Sequence, residues 1–328
     1  MYLLGYLPIN AFKDILDNDE QQHLKADLVH CAMEEMLLPL CMALEQGVQM
    51  WCPDGHLHHV FPHVDAYTAN WPGQNLQCCT LQGGCLVCKT SNKDWGNFEE
   101  EAKLHQCEET LEVLWAYIIT KNLHHLKLQK LKPVWPWWGD LPNVNLSTCI
   151  TPGLLHQAYQ GMFKAHLIWW MKKIISKDKL DNWYAAMPQA EGLVHYPNGI
   201  SVVNSGMWTG CNSKQLFTQF LPMVIGPLDP NMRQMVCTLI DFMYCTQAPS
   251  LTESDLMAMD NNLHIFHQHK LLLIGLFYED DGEDPFKAIA KLHMLQHWTH
   301  SICELGTLDG FNTGAPEHLH IEYAKVLW

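Results

Sequence analysis

Between Ala26 and Gln46 the apolar residues Leu28, Val29, Met33, Met36, Leu37, Leu40 and Leu44 recur at helical spacing, and Gly47 follows as a stop. That spacing predicts a helix. Two β-prone runs, 48–52 and 57–67, flank the turn residues Pro53, Asp54 and Gly55, which predicts a hairpin. A cysteine-bearing loop follows, and then a helical pattern over 98–125. The stretch 133–153 is rich in Pro, Trp and Asn and predicts a long linker or lid. Beyond it helical patterns dominate, over 154–175, 213–223, 231–247, 253–277 and 285–304. The acidic run from Glu279 to Asp284 reads as a solvated break, and there is no internal repeat. The predicted class is α+β, predominantly helical.

Composition narrows this picture. A chain of 328 residues that is 48% hydrophobic carries enough apolar material for a sizeable core in one or two domains. Its charged fraction of 17% is low, and a net charge of −15 argues against a broad electrostatic footprint for nucleic acid. Any DNA contact would have to be local or supplied by missing sequence. The opening residues MYLLGYLPIN lack the basic region and cleavage site of a signal peptide, and no uninterrupted apolar stretch reaches membrane-spanning length. An intracellular protein with no membrane association is expected. Thirteen cysteines scattered over the chain suit reduced core thiols plus a metal site better than a disulfide framework.

Arg233 is the only arginine, beside 13 Trp, 20 His and 13 Cys. Arginine is the fixed-charge, bidentate binder of phosphate, so a protein that handles a polyanion has reason to keep it. Most arginine codons become Trp, Cys, His or Gln codons by one transition at their CG dinucleotide. The composition therefore points to a gene that has drifted under such mutation.

The cysteine loop is the strongest chemical signal. Five residues separate Cys79 from Cys85, two separate Cys85 from Cys88, and Gly83 and Gly84 allow the tight turn of a thiolate knuckle. Structural zinc is expected on Cys79, Cys85 and Cys88, with Cys78 or a histidine as fourth ligand; the competing reading is a loop of unpaired thiols. His56 and His58 alternate along one strand. His293 and His297 stand one helical turn apart, which suits a metal pair, but Met294 replaces the glutamate of a zinc protease and nothing nearby supplies a third ligand. Packing or helix-surface roles are expected for them. His264, His267, His269 and Lys270 read as one polar side of a long helix. Trp135, Trp137 and Trp138 could stack on single-stranded bases, yet without flanking cations they read as rings filling a groove beneath the linker. Trp169 and Trp170 read as core, and Lys172, Lys173, Lys177 and Lys179 as a solvated helix end.

Six segments carry a family likeness. They are GYLP at 5–8, CPDGHLHHVFPHVDAYTANWPGQ at 52–74, CCTLQGGCLVCK at 78–89, ITPGLLHQAYQGMFKAHLIWW at 150–170, GLVHYPNGISVVNSGMWTGCNSK at 192–214 and KLHMLQHWTHSICELGTLDGFNTGAPEHLHIEYAK at 291–325. In this order the chain resembles the Plavaka-type transposases of the Kyakuja–Dileera–Zisupton superfamily, cut-and-paste DNA elements. The resemblance implies a partial ribonuclease H-like core whose N-terminal strands precede Met1, a cysteine-bearing insertion and a large helical region. The implied division is 1–75 for the core remnant, 76–97 for the zinc loop, 98–152 for helix and linker, and 153–328 for the helical region. It also implies carboxylates holding two Mg²⁺ or Mn²⁺ ions, because two metals clamp the attacking and leaving oxygens of a phosphoryl displacement.

The family's acids are where the chain departs. The first belongs to a strand upstream of GYLP. The alanine-aspartate-x-proline-glutamate-glutamine motif reads Ala69-Asn70-Trp71-Pro72-Gly73-Gln74, with both acids replaced, and a C-terminal glutamate falls on Gly314. Family acids are also missing at Gly153, Ala165 and Cys211, and family arginines at Trp183 and His318. Of the acids that remain, Asp54 fits a hairpin turn and Glu317 a helix start better than catalysis. The expectation is a truncated, degenerate transposase fragment without cleavage activity, nuclear if functional, its contact with DNA weak or absent. The alternatives are a retained DNA- or protein-binding scaffold with structural zinc, and an active metal-dependent transposase with a truncated gene model. A missing core strand would expose a sheet edge and make the protein marginally soluble.

Overall fold

A computed structural model of the chain describes residues 11–99, 101–142, 144–200, 210–277, 285–287 and 289–311. These fall into two compact units, one from residues up to Ser91 with Glu101–Ile150, the other from Asn92–Glu100 with residues from Thr151 onward. The described residues are predominantly helical, with one small antiparallel sheet of two strands.

In the first unit, helix α1 spans Asn18–Gln46, starting well before the apolar pattern. Asp17 is the reason. Its carboxylate accepts the N–H groups of Asp19 and Glu20 at 2.8 and 2.9 Å, and those two acids favour the positive end of the helix dipole. Gly47, at φ +70°, ends the helix by donating its N–H to Ala43. Strand β1, Val48–Trp51, then pairs with β2, Leu57–Val60, so that Val48 faces Val60 and Trp51 faces Leu57. The connection is closed by Cys52 and His56, with Gly55 at φ +80°. The predicted second strand stops early: beyond Val60 only Tyr67 makes a bridge, to Ile150.

Four short helices complete this unit: α2 Trp71–Gln77, α3 Cys107–Thr120, α4 His124–Leu128 and α5 Leu146–Cys149. Leu114, Leu126 and Leu131 pack with Cys79 into a local core. The stretch after Pro133 is built into the unit rather than laid over it. Trp137 and Trp138 are buried, and both indole N–H groups donate to Gln77, Trp137 to its side-chain oxygen and Trp138 to its backbone oxygen at 2.7 Å. A buried indole needs such an acceptor.

The second unit is helical throughout. A π-helical segment, Leu154–Leu167, runs into α6, Ile168–Ile174, and is followed by α7 Lys177–Ala186, α8 Gly210–Val224, α9 Pro230–Cys245 and α10 Glu253–His269. Phe163, Trp170, Tyr184, Phe217, Phe220, Phe242, Phe266 and Trp298 form one continuous core in it. Helices α9 and α10 pack along each other. Asp229 caps α9, and Thr252 with Asp255 forms a capping box at the start of α10.

Three expectations are corrected here. The long pattern over 253–277 breaks into α10, a 3₁₀ turn at Lys270–Leu273 and α11, Ile274–Phe277. His267 and Lys270 are buried rather than solvated: the Lys270 ammonium donates to the Gly96 carbonyl and lies 4.8 Å from the centre of the Phe286 ring. Trp169 is 41% exposed while Trp170 is fully buried. The last described helices are α12, Ala290–Leu295, and α13, Trp298–Leu305.

Candidate metal centre

The loop that carries Cys85 and Cys88 is held by single bridges, Gly84 to Ser91 and Cys88 to Leu104. It folds back on the Cys85 sulfur, which accepts the N–H groups of Val87 at 3.4 Å and Cys88 at 3.5 Å. Two amides aimed at one sulfur pre-arrange it as a thiolate ligand. A larger residue just before it would be crowded, because a Cβ on Gly84 would stand 3.0 Å from the Cβ of Lys130. Both cysteines are buried, and burial, followed by the neighbouring Cys88, pushes the Cys85 thiol well above its ordinary pKa. A metal would therefore bind here with release of protons. His105 supports the loop from behind. Its Nε2 lies 3.1 Å from the Cys85 carbonyl, to which it donates, and burial lowers its pKa.

His293 lies within α12, and His297 is the residue that starts α13. The break between these helices turns the rings perpendicular, 84° apart, and brings their Nε2 atoms to 3.4 Å. Both rings are buried. Trp95 stacks on His293 with centroids 5.9 Å apart, and Trp298 anchors the start of α13 by donating to Gln157 at 3.1 Å.

One ligand atom from each of Cys85, Cys88, His293 and His297 lies within 4.8 Å of the other three. Tetrahedral zinc with Zn–N bonds of about 2.0–2.1 Å sets its two nitrogens about 3.3 Å apart, and the histidine pair is already at that separation. This buried Cys₂His₂ set could bind zinc.

The residues singled out in the sequence are distributed unevenly. Cys85 and Cys88 belong to this set; Cys78 and Cys79 lie outside it. Cys79 Sγ is 3.6 Å from His30 Nε2, and Cys78 shares a cavity of about 20 Å³ with Cys107. His293 and His297, read as packing residues, are among the four donors that could hold a metal ion. Their four-residue spacing was visible, but nothing in the linear order linked it to residues 85–88. Asn70 caps α2, its side-chain oxygen accepting the Gly73 N–H at 3.0 Å. Asp54 accepts the His56 N–H at 3.0 Å and pairs with His58 at 2.7 Å on the exposed hairpin. Gly314 and Glu317 lie outside the described residues. Among the described residues, the Cys₂His₂ set is the one group of three or more metal-ligating side chains brought together, and no helix is long and apolar enough to cross a membrane.

A helix-rich chain with a buried Cys₂His₂ set is thus the class defined by fold and site. A sequence model of the Plavaka transposase family matches residues 1–171. That is more than half of the 328 residues, and the chain belongs to this family. No curated protein and no solved structure gives a match.

Proposed function

We propose that this protein is a transposase-derived chain that keeps a structural zinc site and has lost DNA cleavage. The observation that carries the zinc assignment is the convergence of four buried donors, two thiols and two imidazoles. Thiolate and imidazole donors favour zinc, whereas Mg²⁺ takes hard oxygen ligands and keeps several waters. With all four positions supplied by protein, the ion has no open site at which to activate water. Its role is to hold structure. The ribonuclease H-like core and the nuclear location implied by the family belong to the same reading, as does an ancestral two-metal site.

Loss of cleavage is supported at Asn70. Where the family carries an aspartate, this side chain is neutral and its oxygen is engaged in capping α2. A neutral amide cannot supply the negative charge that two divalent ions require. Purified protein is expected to contain one zinc per chain by plasma mass spectrometry, and Cys85→Ser or His293→Ala to reduce it to a small fraction. Supercoiled plasmid incubated with Mg²⁺ or Mn²⁺ should remain uncut. A zinc-free wild-type protein would remove the zinc assignment, and metal-dependent nicking that survives repurification would remove the loss of cleavage.

A further inference from the structure

Within the first unit, the cysteine knuckle opens onto a cavity of about 250 Å³ lined by Cys85 and Cys88 and by Lys89, Thr90, Ser91, Gln129 and Lys130. Its chemistry is unlike that of the chain as a whole, which carries a net charge of −15. Two lysines line it, and the backbone of a third adjoins it: the Lys89 N–H donates to the Lys103 carbonyl at 2.9 Å. The counter-charge is Glu109, whose carboxylate pairs with the Lys89 ammonium. Lys130 is held at φ +55°, a conformation that favours glycine, and its carbonyl is pinned by the Leu81 N–H at 2.7 Å. The backbone on both sides of the cavity is fixed by bonds of this kind, so the lining is pre-formed.

We propose that this cavity is a phosphate-binding pocket that takes one backbone phosphodiester of a nucleic-acid strand. Ammonium groups match the acceptor-only oxygens of phosphate, and the hydroxyls of Thr90 and Ser91 and the amide of Gln129 are chemically able to donate to them. The volume is just below the roughly 300–1,000 Å³ of pockets that enclose a whole ligand, which suits a phosphate with its sugar rather than a complete nucleotide. Zinc on two thiolates and two neutral imidazoles has no net charge, so filling the neighbouring site leaves the lysine field intact. The choice of a polynucleotide over a free phosphate rests on the transposase-derived reading; the pocket itself does not.

The test uses the full zinc-loaded chain and a fluorescein-labelled duplex oligonucleotide, with anisotropy titrations over a series of KCl concentrations. Wild-type affinity should fall linearly on a log–log plot. The double variant Lys89→Gln/Lys130→Gln should bind about tenfold more weakly, with a slope shallower by about 0.9, the value for one lost phosphate contact. Lys130→Gln alone, at an exposed side chain whose loss spares the Lys89–Glu109 pair, should move both quantities the same way, and Lys130→Arg should restore them. Identical affinity and slope in wild type and double variant would overturn the proposal. So would a wild-type protein that answers to inorganic phosphate but not to the oligonucleotide, which would make this a free-anion site. Zinc content and plasmid nicking measured on the same samples report the proposed function separately, so one zinc per chain, no nicking and unchanged salt slopes would refute the pocket alone.

Discussion

His30 shows what a single buried side chain contributes. It is 2% exposed, its Nε2 lies 3.0 Å from the Leu76 carbonyl, and its Nδ1 lies 3.3 Å from the Trp137 N–H. These contacts assign a neutral ring that donates at Nε2 and accepts at Nδ1. Burial, the largest cause, lowers its pKa to about 4, because a second proton would be desolvated and would face the Trp137 N–H. A folded-state pKa below the ordinary 6.5 of histidine contributes stability that is present above pH 6.5 and is lost as pH falls towards 4. His166, lowered to about 4 mainly by burial, acts in the same direction. The urea midpoint should therefore drop between pH 6.5 and pH 4, and His30→Gln should flatten part of that drop. A wild-type midpoint constant across the window would contradict this. None of it was legible in the chain, where His30 is one of 20 histidines. The same holds for His267 and Lys270: their helical spacing is that of a solvated face, and only the packing of Gly96 and Phe286 against Lys270 shows otherwise.

At the scale of elements, what could be read was whatever depends on neighbours in sequence. The apolar spacing of α1 and the turn residues of the hairpin placed both, since a helix repeats every 3.6 residues and a strand every two. The caps at Asp17, Asp229 and Thr252 obey equally local rules. Asn70 belongs with them. Asn70→Ala should cost about 1 kcal/mol through loss of the α2 cap, whereas Asn70→Asp should keep the cap, hold the denaturation midpoint and leave plasmid DNA uncut. An alanine variant as stable as wild type would show that the cap contributes nothing. The interruption at Lys270–Leu273 escaped the sequence because a 3₁₀ turn shifts the apolar register too little to be seen. The stretch after Pro133 looked like a linker from its Pro, Trp and Asn, but the indoles of Trp137 and Trp138 find their acceptors on Gln77, far back along the chain.

Across the whole molecule, the scarcity of arginine leaves lysine as the main fixed cation. Arg233, the sole arginine, donates from its guanidinium to the Leu228 carbonyl at 3.2 Å, a local bond that serves the start of α9. Cation chemistry falls instead to lysines, and the proposed zinc would hold structure. A ligand that binds only the folded state stabilises it by about 4 kcal/mol at a thousand times its dissociation constant. Addition of a strong chelator should accordingly lower the thermal midpoint of the zinc-loaded protein, and Cys85→Ser should start low and no longer respond. Equal midpoints with and without chelator in wild type would count against a structural metal. The sequence by itself determined the helical periods, the hairpin, the Cys85–Cys88 knuckle and the family, because each is written in residues close together or in a fixed order. The partners of that knuckle were decided by tertiary structure alone. Donors for one metal ion must converge in space to within a few ångströms, and neither the four-residue spacing of His293 and His297 nor the two-residue spacing of Cys85 and Cys88 says which distant segment folding will bring to meet it.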